Sequence, residues 1–147
     1  MKFFLMIVFF IQNLFAQNKI SEELKQKINE TFQIYHAGVV SGNFDQMKKV
    51  ISPQFIKEFG DEKSYRKQLK EAKDLFINSK IVVHQIVESR GKKGVVFAEV
   101  AIETPKGSKQ DNSPIWFMLE EVEPQGKSNY FLVIKFVNDF DPSPDIK

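Results

Sequence analysis

The chain has 147 residues, with 21 Lys and Arg against 19 Asp and Glu, a formal net charge of +2, and no cysteine. This inventory excludes disulfide staples, cysteine-held zinc and a lipid-modified cysteine, so a chain of this length must rely on a hydrophobic core. The near-neutral balance gives no reason to expect nucleic acid or an acidic membrane as partner.

The first sixteen residues, MKFFLMIVFFIQNLFA, read as a secretory signal peptide: Lys2 forms a basic start, Phe3 to Ile11 lack any polar side chain, and Ala16 offers the cleavage site. The apolar run stops at Gln12, well short of the roughly 17 to 25 residues a spanning helix needs. Leu14 is larger than the usual small residue two places before the cut. The expected product is exported, periplasmic or extracellular, and soluble, with no stable membrane insertion after cleavage. Its 131 residues carry 20 basic and 19 acidic side chains. The expected organisation is a signal peptide over 1–16, a short segment over 17–19, one α+β domain over 20–140 and a polar tail over 141–147.

Three helices are predicted first. Leu24, Ile28, Phe32, Tyr35 and Val39 recur every three or four residues, Ser21 stands at the N-cap position with Glu22 and Glu23 behind it, and Gly42 offers a stop. Asn43 and Gln46 have capping-box spacing ahead of a short helix with Phe44, Met47, Val50 and Ile51 on its apolar side; Ser52-Pro53 restarts or terminates it. A third helix opens at Asp61 and carries Tyr65, Leu69, Ala72 and Phe76.

Strand character follows over residues 80–89, 95–103, 115–123 and 130–138, all rich in Val, Ile and Phe. The segments between them, residues 90–94, 104–114 and 124–129, are too short for a crossover helix, so sequential antiparallel pairing is expected. Together these elements predict an α+β fold: three N-terminal helices covering one face of a curved, mainly antiparallel sheet of about four strands.

Phe32, Tyr35, the stretch Val39-Val-Ser-Gly-Asn-Phe-Asp45 and the phrase Ile51-Ser-Pro-Gln-Phe55 resemble the opening of the nuclear-transport-factor-2-like superfamily, also described as SnoaL-like or cystatin-like. The resemblance implies a cone-like domain whose curved sheet wraps the helices and leaves a pocket at its wider end. It also implies a habit of dimerising through the sheet. Members include isomerases, dehydratases, cyclases and binding modules, so the fold alone does not choose among them. Catalytic members place an aspartate or histidine in the pocket, and no residue here aligns to that role.

The candidate site residues come from the strands. His84 stands in Ile81-Val-Val-His-Gln-Ile-Val87, and strict alternation groups it with Val82 and Ile86, opposite Ile81, Val83 and Val87. In a pocket it would serve as a proton acceptor, and with suitable strand alignment Glu99 approaches either His84 or Lys135 as an acid-base pair; the competing expectation is that these charges face solvent. Trp116, Phe117 and Met118 form an aromatic patch with Phe131 and Phe136. Trp116, His84 and Lys135 are the candidate ligand-binding residues, and Phe117 and Phe131 the candidate interface residues. No metal-ligand spacing, nucleophile elbow or phosphate loop occurs, so neither metal nor cofactor is expected.

These features favour a non-enzymatic binding module for a small apolar ligand or a protein partner. One alternative is a small lyase or isomerase using His84 as proton acceptor and Glu99 as its helper. Another is a structural or interaction domain, a homodimer joined through its sheet.

Overall fold

The computed structural model describes residues 20–105, 113–122 and 131–137, with the backbone alone for 131–136. The leader, the segment 17–19, the tail and most of the two later strand connections therefore lie outside the described residues.

Among the described residues four helices precede the sheet: α1 (Glu22–Ser41), α2 (Phe44–Met47), α3 (Pro53–Lys57) and α4 (Glu62–Ile77). Each is opened by a side-chain oxygen that accepts a backbone N–H three residues on: Ser21 from Leu24, Asn43 from Gln46, Ser52 from Phe55 and Asp61 from Ser64. Helix α1 ends in a Schellman turn. Gly42 adopts φ 71°, its N–H donates to the Val39 carbonyl, and the Asn43 N–H donates to that of Gly38. The expected three helices become four among the described residues, because Ser52 caps and Pro53 starts a separate turn of helix.

The strands are β1 (Lys80–Glu88), β2 (Val95–Glu103), β3 (Ile115–Glu121) and β4 (Phe131–Val137), and every adjacent pair is antiparallel. The curved, cone-like sheet is also corrected: the sheet is neither curled nor closed. Its strand order is linear, β1-β2-β3-β4, so among the described residues the edge strands β1 and β4 do not pair with each other. Register shifts at Val83/Gln85 and Met118/Leu119 perturb the ladder locally and do not bring the two edges together.

The helices cover one face of this sheet. Ile28, Phe32 and Val39 from α1 meet Ile81, Val96, Ala98, Val100 and Leu119 from β1–β3, and all of them are buried. Burying each large aliphatic or aromatic side chain contributes roughly 1.5–3 kcal/mol, which accounts for stability without disulfides. Phe55 of α3 lies edge-on to Tyr35 at 6.4 Å and Tyr65 at 5.9 Å between ring centroids. At the end of α4, the Phe76 carbonyl sits 2.9 Å from His36 Nε2, which ties α1 to the last turn of α4.

Candidate functional site

The site begins with an irregularity in β1. Val83 opposes Val100 and Gln85 opposes Glu99, so His84 is the extra residue of a β-bulge. Its side chain is exposed. The bulge also overturns the strict alternation expected for this strand. Ile81, Val83 and Ile86 now reach the core cluster, whereas Val82 and Val87 do not. A single unpaired residue resets the faces of everything after it.

Glu99 lies at the middle of β2, between Gln85 on one side and Trp116 on the other, and is half-buried. His84 and Glu99 line one open hollow of about 460 Å³, together with Ala101, Glu103, Thr104 and Pro114. The sequence thus named two residues that the fold brings to a common surface. Among the described residues, no three His, Asp or Glu side chains converge to hold a metal ion. The hollow offers an imidazole and two carboxylates, a set suited to receiving a basic group rather than an anion.

Beside it runs an apolar row. Val87 opposes Phe97, which opposes Met118, and Trp116 stands opposite Glu99 in the next row. Val87, Phe97, Trp116 and Met118 are each half-buried, and none packs against the helix-covered core cluster. They therefore occupy the outer face of the sheet, the one the described helices leave open. Val95 and Ala101 belong to this face by register and are buried, at 5% and 3% exposure.

The remaining candidates separate by face. Phe117 points to the helices, with its ring 5.5 Å from that of Phe32 and 6.3 Å from that of Phe55, so it serves the interior. Lys135 opposes Met118 rather than Glu99, and Phe131 opposes Glu121; their side chains lie outside the described residues. Phe97 and Val87 escaped sequence reasoning because each is one apolar residue in an apolar strand. Their signal is the register with Met118, which appears only once β2 and β3 are paired.

On the helical side, Lys63, Arg66, Lys67, Lys70 and Lys73 share one flank of α4 at helical spacing, a pattern hidden by the neutral total charge. Arg66 lies 4.0 Å from the centre of the Phe44 ring and also binds Glu62. Glu62 also accepts from Lys48, and these two cations hold its carboxyl below the ordinary carboxylate range. No family model, curated protein or solved structure matches this chain.

Proposed function

We propose that the protein is an exported, non-enzymatic binding module that holds a protein partner against the outer face of its sheet. The observation that carries this reading is the row Val87, Phe97 and Met118 with Trp116 beside it, set on the face away from the helices. Aromatic residues and methionine are the composition of an interface centre, and here they stand half-buried on the face that the described helices do not cover, while small apolar ligands favour enclosed pockets. Glu99 and Glu103 at the rim supply a counter-charge for a basic side chain of the partner. Export rests on the leader, and the superfamily resemblance is compatible with a binding role.

The proton-transfer alternative has His84 and Glu99 in one hollow in its favour. That hollow is open and His84 is exposed, whereas electrostatic catalysis gains its strength where water is excluded. The binding reading therefore has the stronger support.

Site-specific photocrosslinking tests it. With p-benzoylphenylalanine at position 118, irradiation of the producing cells should give covalent adducts to protein, either a second copy or another chain. The same group at Asn29, on the exposed side of α1, should give none. Absence of protein adducts at 118, with a small molecule retained in native mass spectrometry, would replace a protein partner with a ligand.

A further inference from the structure

We infer that the groove between the end of α1, helix α2 and α4 is a second binding site, and that its occupant is an extended acidic peptide segment anchored by one apolar side chain. The groove has an apolar slot of about 120 Å³ with Val39, Phe44, Met47 and Leu69 along it and Gly38 and Gly42 at its α1 side. Arg66, Lys70 and Lys73 form its other wall. Arg66 and Lys70 also belong to an adjoining open basin of about 770 Å³ that includes Lys63 and Lys67.

Charge selects the occupant. Between Lys48 and Asp74 the sequence holds eight basic and five acidic residues, while the rest of the chain holds thirteen and fourteen. The local carboxylate at the groove, Glu62, is already engaged by Arg66 and Lys48. Lys67 has Glu71 at 3.9 Å, and Lys63, Lys70 and Lys73 join none of the ion pairs among the described residues. Five cations along one flank of a helix, three of them outside the ion pairs of the described residues, attract an anionic partner, and among the described residues no comparable cation row lines the hollow at His84.

Shape narrows the class. Lys63 to Lys73 spans about 15 Å of helix, the length of roughly five residues of extended peptide. The slot has the volume of a single apolar side chain, and Gly42, with nothing within 4 Å of where its Cβ would stand, keeps its mouth clear. A lipid bilayer requires apolar groups that protrude, but Val39, Phe44 and Met47 are recessed at 2%, 6% and 1% exposure. Single-stranded nucleic acid requires aromatic faces offered for stacking, and Phe44 has its face occupied by Arg66.

Fluorescence polarisation on the full chain, freed of its leader, tests this with a labelled Asp-Glu-Leu-Asp-Glu peptide at low salt. Binding should weaken at least tenfold in K70E/K73E, and at least threefold when the central leucine of the probe becomes serine. Far-UV circular dichroism should show both proteins folded, since Lys70 is exposed and Lys73 only half-buried. Asn29→Ala, on the exposed side of α1 and outside the groove, should bind as the parent does. The inference is overturned if a Lys-Lys-Leu-Lys-Lys probe binds as well, or if K70E/K73E binds unchanged. Tighter capture by phosphatidylserine vesicles or by an oligothymidylate would overturn the peptide assignment.

Discussion

The Tyr65 hydroxyl donates to the Tyr35 hydroxyl across 3.1 Å, within a shell made by Phe44, Phe55, Phe59 and Phe76. Burial pushes both phenols above the ordinary value of 10.0, and for Tyr65 the neighbouring Tyr35 adds to the rise. Both groups thus fold in the protonated form. Their contribution is fully present below the unfolded pKa of about 10 and declines as pH rises above it. Tyr65→Phe should cost about 1 kcal/mol at pH 7, by loss of one hydrogen bond, yet flatten the fall in stability between pH 10 and 11.5. Urea midpoints at both ends of that range decide it; an unchanged alkaline slope would refute the coupling. Gly38 presents a different constraint, because a Cβ there would overlap Met47 Cγ, itself buried at 1%. Gly38→Ala should therefore lose about 1–3 kcal/mol through overpacking, outweighing the roughly 1 kcal/mol that alanine gains in helix propensity, and thermal melts read the sign. Tyr35, Tyr65 and Phe76 were legible as core from helical spacing, but the phenol pair was not. It joins residues thirty positions apart, and periodicity reports which face a residue occupies, not which atom it meets.

At the level of elements, the helix starts at Ser21, Asn43 and Asp61 were readable because a capping oxygen and its N–H lie only three residues apart, within the span that local sequence encodes, whereas Ser52-Pro53 read equally as a restart or an end. Ser52 is the instructive case: it is buried at 1%, and its Oγ accepts from Phe55 N–H at 3.1 Å. Ser52→Ala should lose about 1–2 kcal/mol, the upper part of the range for caps, because no water replaces the lost acceptor. Amide exchange at Phe55 should rise in the same variant. The bulge was illegible for the opposite reason. Ile81 to Val83 and Ile86 to Val87 are apolar on both sides of His84 and Gln85, so no alternation marks where the pairing slips. Deleting His84 should leave Val83 and Gln85 opposite Val100 and Glu99 as they are now, keeping Ile86 on the helix side. Deleting Val82 instead turns Ile81 away from the core. The first deletion should lower the melting temperature by less than the second; the reverse order would place the bulge elsewhere.

The whole molecule is a sheet with two unlike faces, and strand β3 exposes the difference within two adjacent residues. Leu119 has 0% exposure and belongs to the core cluster; Met118 is half-buried, outside that cluster, and opposite Phe97. As neighbours in one strand these two residues project to opposite sides of the sheet. Sequence alternation did not say which side the helices cover, since Trp116 and Phe117 are equally apolar. That choice is settled by Phe32 and Phe55 meeting Phe117, contacts between residues at least sixty positions apart. Leu119→Ala should lower the free energy of unfolding by about 2–5 kcal/mol through the cavity it leaves. Met118→Lys, whose long stem can lie along the outer face with its charge in water, should change stability by less than about 1 kcal/mol. The same lysine places a charge at the centre of the proposed interface, so association measured by light scattering or by analytical ultracentrifugation with the crosslinked partner should weaken tenfold or more. The two variants thus separate folding from binding along one strand. A Met118→Lys protein that loses as much stability as Leu119→Ala would mean that the outer face belongs to the fold itself. One that keeps both its stability and its partner would remove that face from the function.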